Sequence, residues 1–202
     1  MYTIVRIIIT LILLLIVFMV YGKTIKKNGN KKIIAVISLM IFFALLWIPF
    51  ENYVMSFKSP TAVFKYQFFN KDIVKLVENE NSAYIIYSND GTSLSFESFE
   101  KKNGSWKLEN IFSSNKIDFK TYNEYNLANI QTKNNSQNLI IVSEVNRTEQ
   151  ASNIKVSDNL NSKFNTFLYK YKDIDYNTTF YYTIIDSQTK SYKLSINDKV
   201  IN

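Results

Sequence analysis

Apolar residues are spread very unevenly along this chain. From Tyr2 to Tyr21 nearly every position is apolar, with Thr3, Arg6 and Thr10 as the exceptions, and from Ile33 to Phe50 no position is charged. A helix rises 1.5 Å per residue, so about 20 apolar residues cross a hydrocarbon core of about 30 Å. The pattern therefore predicts two transmembrane helices, over 2–21 and 33–50, joined by a loop at 22–32. Trp47 is placed to anchor the second helix at an interface, and Pro49 sits where that helix can stop.

The loop Gly22–Lys32 carries five lysines and no acid. By the positive-inside rule it faces the cytoplasm, which predicts a multi-pass cell-membrane protein with its N-terminus and its C-terminal domain outside. Arg6 lies about one turn inside the first segment and is expected to reach back to the headgroups. No small-x-small site precedes Gly22 and lysines follow it, so the segment is expected to stay on the protein as an anchor. The lipid bilayer is then the first expected partner.

Beyond residue 50 the period changes. Ser59-Pro60 has the form of a helix start, with Ser59 as cap and Pro60 in the first helical position, opening a short helix from Thr61 to Phe69. Strand alternation follows. Leu94 and Phe96 alternate with Ser93, Ser95 and Glu97; Trp106 and Leu108 with Lys107 and Glu109; Tyr192, Leu194 and Ile196 with Lys193 and Ser195. Further strands are expected at Ile73–Glu78, Ala83–Ser88, Asn138–Val145, Thr178–Ile185 and Ile154–Ser157. The stretch from Leu160 to Tyr171 has helical spacing but strand composition, and the composition favours a strand. Asp90-Gly91 and Asn103-Gly104 favour tight hairpins, and with so few glycines Asn must supply other left-handed turn positions. The expected architecture is two transmembrane helices at 1–50 followed by a mainly-β extracytoplasmic domain at 51–202, an antiparallel sheet or sandwich with one short helix.

Three segments carry a resemblance: Phe57-Lys58-Ser59-Pro60-Thr61-Ala62-Val63-Phe64-Lys65-Tyr66, Ser82-Ala83-Tyr84-Ile85-Ile86-Tyr87 and Lys102-Asn103-Gly104-Ser105-Trp106-Lys107. Together they resemble small extracytoplasmic β-domains of low-GC Gram-positive, membrane-anchored envelope proteins. The resemblance implies a place at the cell surface and no particular chemistry.

Composition narrows the chemistry. The formal charge of +7 resides mainly in residues 1–50, where Arg6, Lys23, Lys26, Lys27, Lys31 and Lys32 face no acid. The remainder holds 18 basic and 17 acidic residues, so a nucleic-acid face has no support. Neither Cys nor His is present, which excludes disulfides, thiol nucleophiles, Ser–His–Asp triads and His-based metal sites. The sequons at Asn103, Asn134, Asn146 and Asn177 read as chance matches in an Asn-rich chain.

Serine–lysine spacing occurs at Ser98/Lys101, Ser113/Lys116, Ser152/Lys155 and Ser187/Lys190, a pattern that means something only in its proper structural setting. The carboxylates Glu78/Glu80, Glu97 and Asp173/Asp175 read as solvated. Asp173-Ile174-Asp175-Tyr176-Asn177 has the oxygen spacing of a calcium loop, but Thr178 stands where such a loop needs Gly and Ile184 where it needs Glu. A polar inter-strand loop is the better reading. No catalytic, cofactor-binding or metal residue is therefore assigned, and no enzyme is expected.

The chain holds 14 Tyr, 15 Phe and 2 Trp. Tyr and Phe serve first as strand residues, and structural use is the better reading; the alternation nevertheless places one member each of Tyr84/Tyr87 and Tyr181/Tyr182 on the outward face, as a surface for a glycan ring or a protein. The function these readings favour is a membrane-anchored binding or accessory module engaging a protein or envelope ligand. The alternative is an immunity-type (self-protection) membrane protein acting through its helical hairpin.

Overall fold

The computed structural model describes residues 2–28, 31–47, 49, 51–108, 115–122, 125–132, 136–146, 154–172, 177–189 and 191–201. In chain order the helices are α1 (Tyr2–Asn28), α2 (Lys31–Trp47), α3 (Glu51–Val54) and α4 (Pro60–Gln67). The strands are β1 (Asp72–Glu78), β2 (Ser82–Ser88), β3 (Leu94–Lys102), β4 (Ser105–Trp106), β5 (Lys116–Tyr122) and β6 (Tyr125–Gln131). They continue with β7 (Gln137–Asn146), β8 (Val156–Asp158), β9 (Asn165–Lys170), β10 (Asn177–Asp186), β11 (Leu194–Ile196) and β12 (Lys199–Val200). The residues group into two compact units, one of 1–70 with 101–113, the other of 71–100 with 114–202.

In the first unit α1 packs on α2. Among the described residues no helix is long and apolar enough to cross a membrane. This overturns the expected pair of transmembrane helices, and with it the multi-pass placement with both ends outside. Two features of the helices differ from the sequence reading. With 17 residues α2 spans about 25 Å, short of the roughly 30 Å of a hydrocarbon core. The first helix does not stop at Tyr21 but runs through Lys23, Lys26 and Lys27 to Asn28. At its other end Arg6 does not reach outward: it is buried, with Nε 3.8 Å from a Glu51 carboxylate oxygen. Thr10 donates back to the Arg6 carbonyl at 2.8 Å. Ile8, Leu11, Ile12, Leu15, Phe18, Val36, Met40 and Phe43 are exposed on the two helices.

The short helix forms as its sequence demands: Ser59 is extended, its hydroxyl accepts from the Ala62 N–H at 3.2 Å, and Pro60 follows. Val63 and Phe64 face inward. Asn52 on α3 clips the chain at Leu108, with Nδ2 donating to the Leu108 carbonyl and Oδ1 accepting from its N–H, both at 2.8 Å. That side-chain clip replaces the continued strand expected through Leu108; the ladder ends at Trp106.

The second unit is mainly β, and every pairing in it is antiparallel. One layer runs β1-β2-β3; a second runs β5-β6-β7-β10-β9; a third is β12-β11-β8. Period-two alternation sends Ala128, Ile130, Leu139, Ile141, Phe180 and Tyr182 to one face of the five-stranded sheet, where they meet Val77, Tyr84 and Ile86. The opposite face presents Leu127, Ile140, Val142, Tyr181 and Ile185 to Leu194 and Ile196. Because the central sheet is covered on both sides, Tyr181 and Tyr182 are both buried. Tyr84 and Tyr87 on β2 are buried as well, so the expectation that one of each pair faces outward is corrected.

Asn103 (φ 52) and Gly104 (φ 76) form the two-residue turn between β3 and β4. Asn197 (φ 48) and Asp198 (φ 65) do the same between β11 and β12 without glycine. Asp90-Gly91 lies in a longer loop, because β2 and β3 close their ladder at Ser88 and Leu94.

Candidate ligand-binding cleft

The second unit contains a cleft of about 360 Å³ lined by residues of β3, β5, β6, β7 and β10 together with Tyr171. Its origin lies in side-chain size. Ala128 pairs with Ile141 and Asn126 with Ser143, so two short side chains, Ala128 and Ser143, lie diagonally on adjacent strands. Large rings rise around them: Phe119 beside Ala128 on β5, and Phe180 beside Ser143 on β10. Leu94 and Phe96 of β3 complete the opposite wall. A sheet face packed with uniformly large residues closes against its neighbour; here the short pair leaves a hollow.

The rings are held by one another. Phe96 and Phe119 lie 6.3 Å apart at 53°, and Phe180 stacks on Phe167 at 4.8 Å and 9°. Phe119 remains 60% exposed, which makes it the rim of the cleft. The polar lining is neutral, consisting of Asn126, Ser143, Tyr171 and Thr178. Asn126 Oδ1 accepts from the Thr121 hydroxyl at 3.0 Å. Ser143 makes no side-chain hydrogen bond among the described residues. Among the described residues no Asp, Glu, Lys or Arg lines the cleft.

The sequence-level candidates do not gather here. Ser98 is buried and donates to Asn115 Oδ1 at 2.6 Å, while Lys101 lies over the Trp106 ring at 5.9 Å, so each is committed elsewhere. Ser113, Ser152 and Lys190, members of the other serine–lysine pairs, lie outside the described residues. Glu78 and Glu80 are exposed, and Glu97 accepts from Asn115 Nδ2 at 3.2 Å. Of the calcium-like loop, Asp173 and Asp175 lie outside the described residues, and Asn177 begins β10. Among the described residues no group of three acids is placed to hold a metal. Trp106 is buried.

Sequence reasoning assigned no residue to this cleft, and it placed no strand at Phe119, Asn126 or Ala128. The segment Lys-Ile-Asp-Phe-Lys-Thr-Tyr at 116–122 has the alternation of a strand, with Ile117 and Phe119 separated by Asp118, and that alternation was the available signal.

A second hollow, of about 580 Å³, lies in the first unit and is lined by Asn52, Tyr53, Lys102 and Lys107 among others. Two of its polar side chains are already engaged: Lys107 Nζ donates to the Asn52 carbonyl at 3.2 Å, and the Asn52 amide is held by Leu108.

No curated protein and no solved structure matches the chain. Residues 80–183, just over half of the chain, match the family described as Domain of unknown function (DUF5004), and this span includes every residue that lines the cleft. The chain therefore belongs to the DUF5004 family.

Proposed function

We propose that this protein is a binding or accessory module that engages a protein or envelope ligand through its β-domain and catalyses no reaction. The cleft carries this reading. Its volume falls in the range of about 300 to 1,000 Å³ typical of small-ligand sites, and its walls are aromatic and aliphatic with a few polar groups. Such a lining holds a ligand or part of one, and its described residues offer no acid–base pair to transform it. Self-protection through a membrane hairpin is not retained, because it required two spans.

The test is amide chemical-shift mapping of the full chain with indole, a neutral ring with one donor. Shifts centred on Ala128, Ile141 and Ser143, lost in Ala128→Phe, are the expected result. Circular dichroism of that variant establishes that its fold persists, and Phe119→Ala at the exposed rim serves if it does not. Shifts that avoid the cleft altogether overturn the reading, as does turnover of an ester or glycan abolished by one carboxylate substitution.

A further inference from the structure

Resting on the proposal that the cleft binds a ligand, we infer that its occupant is a neutral sugar ring of a glycan. Three features of the cleft converge on that class.

The first is charge. A site for a phosphorylated, sulfated or carboxylated ligand needs a cation to offset the cost of desolvating it, and among the described residues none lines this cleft. The second is the disposition of the walls. Phe96 and Phe119 both line the cleft, inclined to each other, and Phe119 offers most of its surface to solvent. A pyranose presents an apolar face of C–H groups suited to such a ring, and hydroxyls around its edge. The third is the floor. Asn126 and Ser143 face each other on neighbouring strands, and Thr178 lines the cleft on β10. The Ser143 hydroxyl is uncommitted among the described residues, as is the Asn126 amide nitrogen. An entirely apolar ligand would strand these groups without partners, at a cost for each one desolvated. A ring bearing hydroxyls on its edge satisfies them while its face covers Phe119.

Chitotriose and cellotriose, two neutral oligosaccharides, are titrated into the full chain beside indole, with amide shifts as the readout. The expected result is saturable shifts at Ala128, Ile141 and Ser143 with at least one oligosaccharide. Phe119→Ala should weaken that binding by about tenfold, the scale of one aromatic contact. Ser143→Ala, which removes a hydroxyl without enlarging the side chain, should weaken the oligosaccharide and leave indole unchanged. If indole binds and neither oligosaccharide does, the sugar assignment falls while the cleft remains a binding site. Equal weakening of both probes by Ser143→Ala also overturns the sugar assignment. If neither kind of probe shifts the cleft amides, both proposals fall.

Discussion

Two glycines with similar backbone angles have different packing constraints. Gly104 (φ 76) has open space where a Cβ would be placed, so Gly104→Ala meets only the left-handed penalty of about 1–2 kcal/mol. Gly91 (φ 82) would bring its new Cβ to 2.8 Å from Lys172 Cβ, while its carbonyl accepts from the Lys172 N–H at 2.8 Å. Gly91→Ala should therefore lower the urea midpoint more than Gly104→Ala, and equal losses would contradict this packing.

Tyr84 supplies a prediction of pH dependence. Burial, with the Glu100 carboxylate second, pushes its phenol above the ordinary tyrosine value, so the folded state favours the neutral form. Stability from this effect is complete below the unfolded value of about 10 and is lost as pH rises through the folded value. Its hydroxyl has no hydrogen-bond partner among the described residues, so Tyr84→Phe should change neutral-pH stability by less than about 1 kcal/mol. The same variant should flatten the alkaline loss, seen in urea midpoints from about pH 8 to about pH 11. Tyr192, raised by burial and by Asp158, responds in the same direction.

Among the elements, β7 and β10 form the middle of the five-stranded sheet, joined by an unbroken register from Asn177↔Asn146 to Asp186↔Gln137. Among the described residues the outer strands β5 and β9 each pair on one side only. Hydrogen exchange should accordingly be slowest in β7 and β10 and fastest at β5 and β9. Leu139→Ala, at a fully buried position of β7, should cost about 2–5 kcal/mol, measured by urea unfolding. Comparable protection across all five strands would contradict this layering. The exposure of β5 explains why it was passed over: Lys116, Asp118 and Lys120 alternate with Ile117 and Phe119 on an edge, and nothing in the residues says which strand they pair with.

For the whole molecule, the absence of Cys means that the unfolding midpoint should be the same with and without a thiol reductant. A chelator should leave that midpoint unchanged too, since the Asp173-Asp175-Asn177 pattern lacks the ligands of a strong calcium loop. A rise of several degrees with calcium, abolished by Asp173→Ala with Asp175→Ala, would contradict the second expectation.

Local chemistry made some of this protein readable directly. Ser59-Pro60 starts a helix and Asn103-Gly104 closes a hairpin because each acts on backbone groups within a few residues. The strand composition of Asn165–Lys170 prevailed over helical spacing for a similar reason, since Thr, Phe, Leu and Tyr suit a pleated surface. Hydropathy alone misled at Arg6, because a run of apolar neighbours does not reveal a Glu51 brought beside it by folding. It misled again at Tyr84/Tyr87 and Tyr181/Tyr182, because alternation tells which residues share a face but not whether a further layer covers it. The cleft was decided only in three dimensions. Ala128 and Ser143 are far apart in sequence, and their short side chains become a hollow once register sets them side by side among Phe96, Phe119 and Phe180.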